Sequence, residues 1–255
     1  MPEQLKVSGT MPAGATDEES AARAVQRMFD DIAPRYDFLN HTLSVNVDRL
    51  WWRRTARTFK HILERENTNV LDLCAGTGDM SVALRAVGRS ARIYALDFSH
   101  PMLHHGLGKF QNGKIQPVEA DALHLPLPNG SMNLVVSAFG FRNLSNYNAG
   151  LMEIHRVLKF EGEIGILDFN EPGGLFGKLY GFYFRSVLPK IGALISGVRG
   201  PYEYLPDSVS KFPSPDQMLA KMESIGFNEV SWTPYTFGIA GLYRGKRQSP
   251  VVEIN

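Results

Sequence analysis

The stretch Val70-Leu-Asp-Leu-Cys-Ala-Gly-Thr-Gly-Asp79 decides the fold, because it joins three local patterns within ten residues. The short apolar run predicts a buried strand, Gly76 and Gly78 predict a tight turn, and a helical pattern begins at Asp79. Glycine is favoured where a ligand packs against bare backbone and where the dihedral angles of a turn resist a side chain. The stretch therefore predicts a strand, a ligand-binding turn and a helix in succession.

An acid at the end of the next predicted strand supports this interpretation. Asp97 lies 19 positions after Gly78 (97 − 78 = 19). In a doubly wound sheet, a carboxylate at this position lies beside the same crevice, where it can accept hydrogen bonds from both hydroxyls of a ribose. The turn and the acid together predict a nucleoside-containing ligand, and a purely structural turn remains the alternative.

Short apolar runs and helical patterns alternate along much of the chain. This alternation predicts an α/β fold with a doubly wound, mostly parallel sheet of seven strands. The last two strands resemble a hairpin, which gives the sheet an antiparallel edge. The predicted strands cover residues 69–73, 91–97, 116–121, 133–139, 163–169, 227–233 and 236–244, and the predicted helices include 79–87, 147–159, 214–225 and one capped by Ser99.

The length of 255 residues suits one large α/β domain. We expect a mobile tail over residues 1–19, a single domain over 20–247 and a second tail over 248–255. Within the domain, short helical patterns over residues 20–65 predict an N-terminal lid. Residues 171–211 form an apolar and aromatic insertion, for which we predict two short amphipathic helices divided at Pro189.

Composition excludes several classes of protein. The formal net charge is +1, whereas nucleic-acid binders usually show a clear basic excess. No apolar stretch approaches the ~20 residues that a transmembrane helix needs, and the N-terminus does not read as a signal peptide, so we expect a cytoplasmic protein. Cys74 is the only cysteine, and the seven histidines show no metal-ligand spacing. We therefore predict no disulfide within the chain and no metal.

Two further residues distinguish between the candidate ligands. The dinucleotide fingerprint requires a third glycine where Ser81 stands. S-adenosylmethionine carries no pyrophosphate, and an acid in the first strand, Asp72, suits its cationic amino group. This pattern favours S-adenosylmethionine over NAD, with another nucleotide left open. The residues predicted to hold it are Asp72, Gly76, Thr77, Gly78 and Asp97, with Asp121 and Ala122 near the adenine.

Three segments carry a resemblance to a known family. They are Phe29-Asp-Asp-Ile-Ala-Pro-Arg-Tyr-Asp-Phe-Leu-Asn40, the glycine loop with Asp97, and Phe139-Gly-Phe-Arg-Asn143 followed by Glu153-Ile-His-Arg-Val-Leu-Lys159. From about Met28 to Arg247 the chain resembles the ubiquinone/menaquinone-biosynthesis C-methyltransferases, and segments 181–185 and 234–240 are more similar to the menaquinone branch. The resemblance implies a Rossmann-like class I methyltransferase fold and the S-adenosylmethionine-dependent C-methylation of a prenylated quinol, demethylmenaquinol in that branch.

The resemblance also implies roles for individual residues. Arg142 would stabilise a developing oxyanion or orient the water that accepts the proton, and Asn143 would orient the substrate oxygen. Tyr36 and Asn40 would belong to a lid over the methyl donor and contact the substrate, with Tyr36 packed against the sulfonium. Ala138 stands where the family has serine, so we expect only a backbone contact with the cofactor there. A structural salt bridge for Arg142, helix capping for Asn143 and helix packing for Tyr36 are the alternatives.

The insertion at 171–211 is interpreted as a lid that receives the polyprenyl tail. Its apolar character predicts contact with the membrane surface, and hence a peripheral location on the inner face of the cytoplasmic membrane. A cap that completes the core, or a contact between copies of a homo-oligomer, is the alternative. Four functional alternatives also stay open: a ubiquinone-pathway benzoquinol methyltransferase, a soluble methyltransferase for another small molecule, a non-catalytic cofactor-binding subunit and, least favoured, an NAD-linked oxidoreductase.

Overall fold

The sheet has seven strands in the order β3-β2-β1-β4-β5-β7-β6. The computed structural model describes residues 9–37, 44, 46–173, 177, 181 and 200–249, with only the backbone described at 200–203. The strands are β1 (Asn69–Leu73), β2 (Arg92–Asp97), β3 (Gln116–Glu119), β4 (Met132–Ala138), β5 (Leu158–Phe169), β6 (Phe227–Tyr235) and β7 (Ala240–Arg247). The helices are α1 (Glu18–Ile32), α2 (Val47–Thr58), α3 (Lys60–Leu63), α4 (Asp79–Val87), α5 (His100–Gly113), α6 (Tyr147–Val157), α7 (Gly200–Lys211) and α8 (Pro215–Ile225).

The strand order reverses at β1, which pairs in parallel with β2 on one side and β4 on the other. In doubly wound sheets a ligand binds outside the carboxyl ends of the strands at such a switch point. β7 runs antiparallel between β5 and β6, so that Ile166 faces Tyr243. These pairings confirm the predicted doubly wound sheet and its antiparallel edge.

Alternate residues of the central strands point to opposite faces, and both faces are buried. On one face, Val70 packs in a core with Trp52, Phe59 and Leu84 from the helices beside the sheet. On the other face, Leu71 lies in a second core, built with residues of α6 and α8. Burial on both faces explains why these strands are continuous apolar runs.

Two strand boundaries differ from the prediction by four residues or more. β5 begins at Leu158 and not at residue 163, because α6 ends at Val157 and Leu158 is already extended. At the hairpin, residues 236–238 form a 3-10 turn, and Phe237 and Gly238 have positive φ values of 56° and 87°. The second hairpin strand therefore starts at Ala240, four residues later than predicted (240 − 236 = 4).

The N-terminal boundary also differs from the predicted mobile tail over residues 1–19. Helix α1 begins at Glu18, and Asp17 and Ser20 form a capping box that satisfies its first backbone donors. Thr10 is buried, and its backbone N–H donates to the carbonyl of Leu144 at 2.8 Å. Residues 9–19 are thus part of the folded domain, a long-range packing that their composition does not indicate.

Much of the predicted insertion lies outside the described residues, including the two amphipathic helices around Pro189. Helix α7 lies within the predicted 171–211 range, is among the described residues and directly precedes α8. Among the described residues, no helix is long and apolar enough to cross a membrane.

We predict opposite effects for two alanine substitutions in α5. A Cβ added at Gly106 would lie 2.6 Å from the ring of Phe110 and 2.8 Å from the carbonyl oxygen of Thr77. Gly106→Ala should therefore lower the free energy of unfolding by about 1–3 kcal/mol. At Gly108 nothing lies within 4 Å, so Gly108→Ala should raise it by up to about 1 kcal/mol. Urea unfolding of both variants tests this, and equal effects would contradict it.

Candidate active site

The loop between β1 and α4 turns through positive φ angles. Cys74, Gly76 and Gly78 have φ values of 57°, 55° and 88°. Gly78 also has no room for a side chain, because an added Cβ would lie 2.2 Å from the ring of Phe110. Only glycine meets both demands at this position. The loop therefore presents bare backbone at the carboxyl end of β1.

Asp97 ends β2 and binds this loop directly. Its Oδ2 accepts a hydrogen bond from the backbone N–H of Gly76 at 2.8 Å, and its Oδ1 accepts one from Ser99 at 2.9 Å. Burial raises the pKa of the carboxyl to about 6, against the lowering effect of these hydrogen bonds. A carboxylate has about four acceptor positions, so Asp97 can still accept from a ligand.

A cavity opens between the loops that follow β1, β2, β3 and β4, with α1 and Tyr36 forming another wall. It encloses about 680 Å³, open solvent included, within the ~300–1,000 Å³ range of small-molecule sites. Six residues of the predicted site line this cavity: Tyr36, Gly76, Asp97, Asp121, Ala122 and Asn143. Phe29, Leu96, Phe98, Met102 and Phe139 add apolar wall surface.

Asp121 and Ala122 stand where the loop after β3 borders the cavity. Asp121 is exposed and accepts a hydrogen bond from the backbone N–H of Leu123 at 2.9 Å, while its other oxygen faces His124 at 3.2 Å. Ala122 is buried. Contact of this pair with an adenine stays a prediction.

Asp72 lies beneath the cavity and does not line it. The side chain is fully buried in β1, and its Oδ2 accepts a hydrogen bond from the hydroxyl of Ser81 at 2.5 Å. Its Oδ1 has no hydrogen-bond partner within the described part of the chain. Burial raises its pKa to about 7. Ser81, the residue that breaks the dinucleotide fingerprint, thus helps hold Asp72 in the core.

Thr77 takes part in a clamp between the glycine loop and the N-terminal segment. Its hydroxyl donates to Asp37, and the ammonium group of Lys109 lies 2.6 Å from Asp37 and 2.7 Å from Asp79. Lys109 also donates to Thr77 at 3.2 Å. The clamp joins α5, the loop and the residue after Tyr36. Sequence reasoning missed Lys109, because nothing in the local pattern marks it.

Arg142 is buried against an acid and is not a wall of the cavity. Its guanidinium pairs with Asp168 at 3.0 Å, and its backbone N–H donates to the other oxygen of Asp168 at 2.9 Å. Burial raises the pKa of Asp168, and Arg142 opposes that rise. The Nε of Arg142 has no hydrogen-bond partner within the described ranges. The pair ties the 3-10 turn Phe141–Asn143 to the end of β5.

Asn143, which does line the cavity, is held from a different side. Its Oδ1 accepts a hydrogen bond from the hydroxyl of Tyr204 on α7 at 3.1 Å, and that hydroxyl lies 3.0 Å from the hydroxyl of Thr10. Ala138 ends β4 and packs in the core, outside the cavity wall. Asn40 lies outside the described residues, so its predicted substrate contact stays a prediction.

The comparison with protein families decides the assignment. The model of the ubiE/COQ5 methyltransferase family matches residues 16–247. The chain belongs to this family. A demethylmenaquinone methyltransferase of Deinococcus radiodurans is 43% identical over 237 residues, covering 91% of this chain and 96% of the relative. A ubiquinone/menaquinone biosynthesis C-methyltransferase of Geobacter sulfurreducens is 42% identical and covers 88% of each chain.

Solved structures confirm the fold of this ubiE/COQ5 family member. A SAM-dependent methyltransferase from Aquifex aeolicus superposes with a TM-score of 0.55 at 18% identity, covering 76% of this chain and 89% of its own. A SAM-dependent methyltransferase from Thermotoga maritima superposes with a TM-score of 0.58 at 15% identity, covering 88% and 100%. At these identities the likeness shows the class I methyltransferase fold alone.

The donors around the cavity fit S-adenosylmethionine better than a dinucleotide. No lysine, arginine or histidine is found among the described residues that line it. A diphosphate would therefore meet no cationic side chain on the described cavity wall. Asp97 offers acceptors to ribose hydroxyls, and the apolar walls suit an adenine and a sulfonium. Within the described residues, no cluster of three or more metal ligands exists.

We predict that cofactor affinity depends on Asp97 and on pH. The ionised carboxylate accepts strong hydrogen bonds at both oxygens, whereas protonation turns one oxygen into a donor, so protonation below pH about 6 should weaken S-adenosylmethionine binding progressively. Asp97→Asn should lower the affinity roughly 10- to 100-fold at pH 8 and remove the fall below pH 6. Calorimetric titration from pH 5 to 8 measures both. An unchanged pH profile in the variant would assign the titration to another group.

Proposed function

We propose that this protein transfers a methyl group from S-adenosylmethionine to a ring carbon of a prenylated quinol, and that the quinol is demethylmenaquinol. The observation that carries this proposal is the cavity between the glycine loop and Asp97, in a chain that belongs to the ubiE/COQ5 methyltransferases. Relatives of 43% and 42% identity, from Deinococcus radiodurans and Thermus thermophilus, are named demethylmenaquinone methyltransferases. They support menaquinone biosynthesis as the pathway.

The cofactor, when bound, supplies an electrophilic methyl group on a sulfonium. The protein then has mainly to hold the ligands in register and to exclude water. Gly76, Gly78 and Asp97 would hold the nucleoside, and the apolar walls would exclude water from the sulfonium. Tyr36 lines the cavity next to Gly76, 3.7 Å from where a Cβ would lie, so its ring could stabilise a cation by cation–π attraction.

The ring carbon becomes nucleophilic when a neighbouring hydroxyl loses its proton. Asn143 lines the cavity and would orient the substrate oxygen. Arg142 stays cationic and cannot serve as the base. We propose that Arg142 favours the oxyanion through its charge, from behind the cavity wall. The buried Asp168 pairs with Arg142 and partly offsets that charge.

We further propose that the enzyme works as a peripheral protein at the inner face of the cytoplasmic membrane. A quinol with a polyprenyl tail resides in the bilayer, so the enzyme must reach it at the membrane surface. A second candidate substrate is the benzoquinol precursor of ubiquinone. Relatives at 42% identity are named for both ubiquinone and menaquinone biosynthesis, which supports this second candidate substrate.

The decisive test supplies methyl-labelled S-adenosylmethionine with demethylmenaquinol and, separately, with the demethylated ubiquinol precursor, each in detergent. We expect label in the naphthoquinol, and Asp97→Asn should abolish most of it. Label only in the benzoquinol would move the enzyme to ubiquinone synthesis. If neither quinol accepts label while the cofactor binds, the quinol assignment fails and the cofactor assignment stands.

A double substitution separates the catalytic and structural roles of Arg142. Arg142→Gln alone should cost about 3–5 kcal/mol of stability, because it leaves Asp168 buried without its cation. Arg142→Gln combined with Asp168→Asn should regain most of this stability in urea unfolding. If the charge of Arg142 stabilises the oxyanion, kcat of the double variant should still fall roughly 100-fold or more. A kcat within about threefold of the parent would restrict Arg142 to a structural role.

A further inference from the structure

Helix α2 divides its residues sharply between the core and solvent. Asp48, Trp51, Trp52, Thr55 and Ala56 are buried, and Trp51 and Trp52 anchor the helix to the sheet. The exposed face carries one leucine and four arginines: Arg49, Leu50, Arg53, Arg54 and Arg57. Residues four apart on a helix lie on the same side, so Arg49, Arg53 and Arg57 form one row. A chain of net charge +1 thus concentrates four positive charges on one helix face.

No acidic side chain among the described residues pairs with this row. Arg49, Arg53 and Arg57 form no ion pair with any residue that the structure describes. Asp48, the only acid of the helix, points into the core. Arg54 lies instead over the ring of Tyr235, 4.1 Å from its centroid. One described acid, Glu171, lies just after β5 at this end of the sheet, against the four arginines of α2. The face therefore keeps a net positive charge.

Two large apolar side chains flank the arginines. Leu50 is 63% exposed, and Phe237 is 84% exposed at the turn between β6 and β7. The neighbours of these two residues are joined, because the indole N–H of Trp51 donates to the hydroxyl of Thr236 at 2.8 Å. Phe237 has a φ of 56°, so the backbone of the turn is held in a left-handed conformation that non-glycine residues seldom adopt. Phe237 thus presents most of its surface to solvent at this turn.

This surface borders the end of the sheet where the cavity opens. The ring of Trp51 packs 5.7 Å from that of Phe139, a wall of the cavity, and 6.1 Å from that of Phe169 at the end of β5. The N-terminal half of α2 and the 236–238 turn are therefore at the carboxyl ends of β4 and β5. A flat partner seated here would lie next to the catalytic end of the molecule.

We propose that Arg49, Leu50, Arg53 and Phe237 form a docking surface for an anionic lipid bilayer. The proposal rests on the proposed function, in which the quinol resides in a membrane. Guanidinium groups bind phosphate headgroups, and an exposed leucine and phenylalanine enter the interface between headgroups and acyl chains. A nucleic acid would use the arginines but not the leucine. The combination of charge and apolar side chains favours lipid.

The test measures retention of the full chain on vesicles. Vesicles of phosphatidylglycerol and phosphatidylcholine in equal parts should bind the protein, and vesicles of phosphatidylcholine alone should bind it much less. Salt at about 0.5 M should release the bound protein. Arg49→Glu with Arg53→Glu should weaken binding roughly tenfold or more. Leu50→Ser with Phe237→Ser should weaken it on anionic vesicles without changing its salt dependence.

Matched controls lie at other surfaces. Arg89→Glu changes an exposed arginine at the opposite end of the sheet, and Met152→Ser changes a side chain that is 55% exposed on α6. Both should bind vesicles like the parent. Thermal unfolding followed by circular dichroism verifies that each variant is folded, and a folded Arg49→Glu/Arg53→Glu variant that binds like the parent overturns the proposal. Retention on single-stranded polyuridylate but not on vesicles also overturns it and assigns the arginines to a nucleic acid.

Activity distinguishes failure of this surface from failure of the proposed function. With a short-tailed quinol in detergent, the Arg49→Glu/Arg53→Glu variant should match the parent. With a long-tailed quinol in phosphatidylglycerol vesicles, it should be slower by about the same factor as its loss of binding. Equal loss in both assays overturns the docking role. If the parent methylates no quinol, the proposed function fails, and vesicle retention alone still decides the surface.

Discussion

The hydrogen bond from the backbone of Gly76 to the carboxylate of Asp97 is the interaction on which the site depends. It joins the end of β1 to the end of β2, and so fixes the glycine loop against the neighbouring strand. The loop can donate this bond because its backbone turns through positive φ angles, and Gly78 leaves space for Phe110. The cavity, the glycine loop and Asp97 therefore form one assembly, and a change that disrupts one of them would disrupt the others.

Buried acids surround that assembly. Asp72, Asp97 and Asp168 end or occupy three of the central strands, and burial raises the pKa of each. The pKa values of Asp72 and Asp97, about 7 and about 6, lie above the unfolded value, so the ionisation of these two acids lowers the free energy of unfolding as pH rises from about 4 to about 7. The same buried carboxylates, when ionised, make the environment of the site negative. Such an environment favours a ligand that carries a positive sulfonium and no phosphate.

Local patterns predicted the fold well where the local sequence determines the structure. The bounds of β1 and α4 follow from the apolar run, the glycines and Asp79, and they agree with the structure residue for residue. The packing of Thr10 and the clamp at Lys109 were not predicted, and the salt bridge that was the alternative for Arg142 was predicted without Asp168 as its partner. Each joins positions that lie at least 26 residues apart, and only the tertiary fold brings them together. Tertiary contacts also moved the start of β7.

Phe110 fills two hollows at once, one left by Gly78 and the other by Gly106. The ring of Phe110 therefore occupies the volume that side chains at positions 78 and 106 would need. A larger side chain at one of the three positions requires a smaller one at another. Any lineage or engineering programme that replaces either glycine must first shrink the ring. The glycine loop is thus coupled, through the ring of Phe110, to the interior of α5. Divergence at these three positions has to proceed in step.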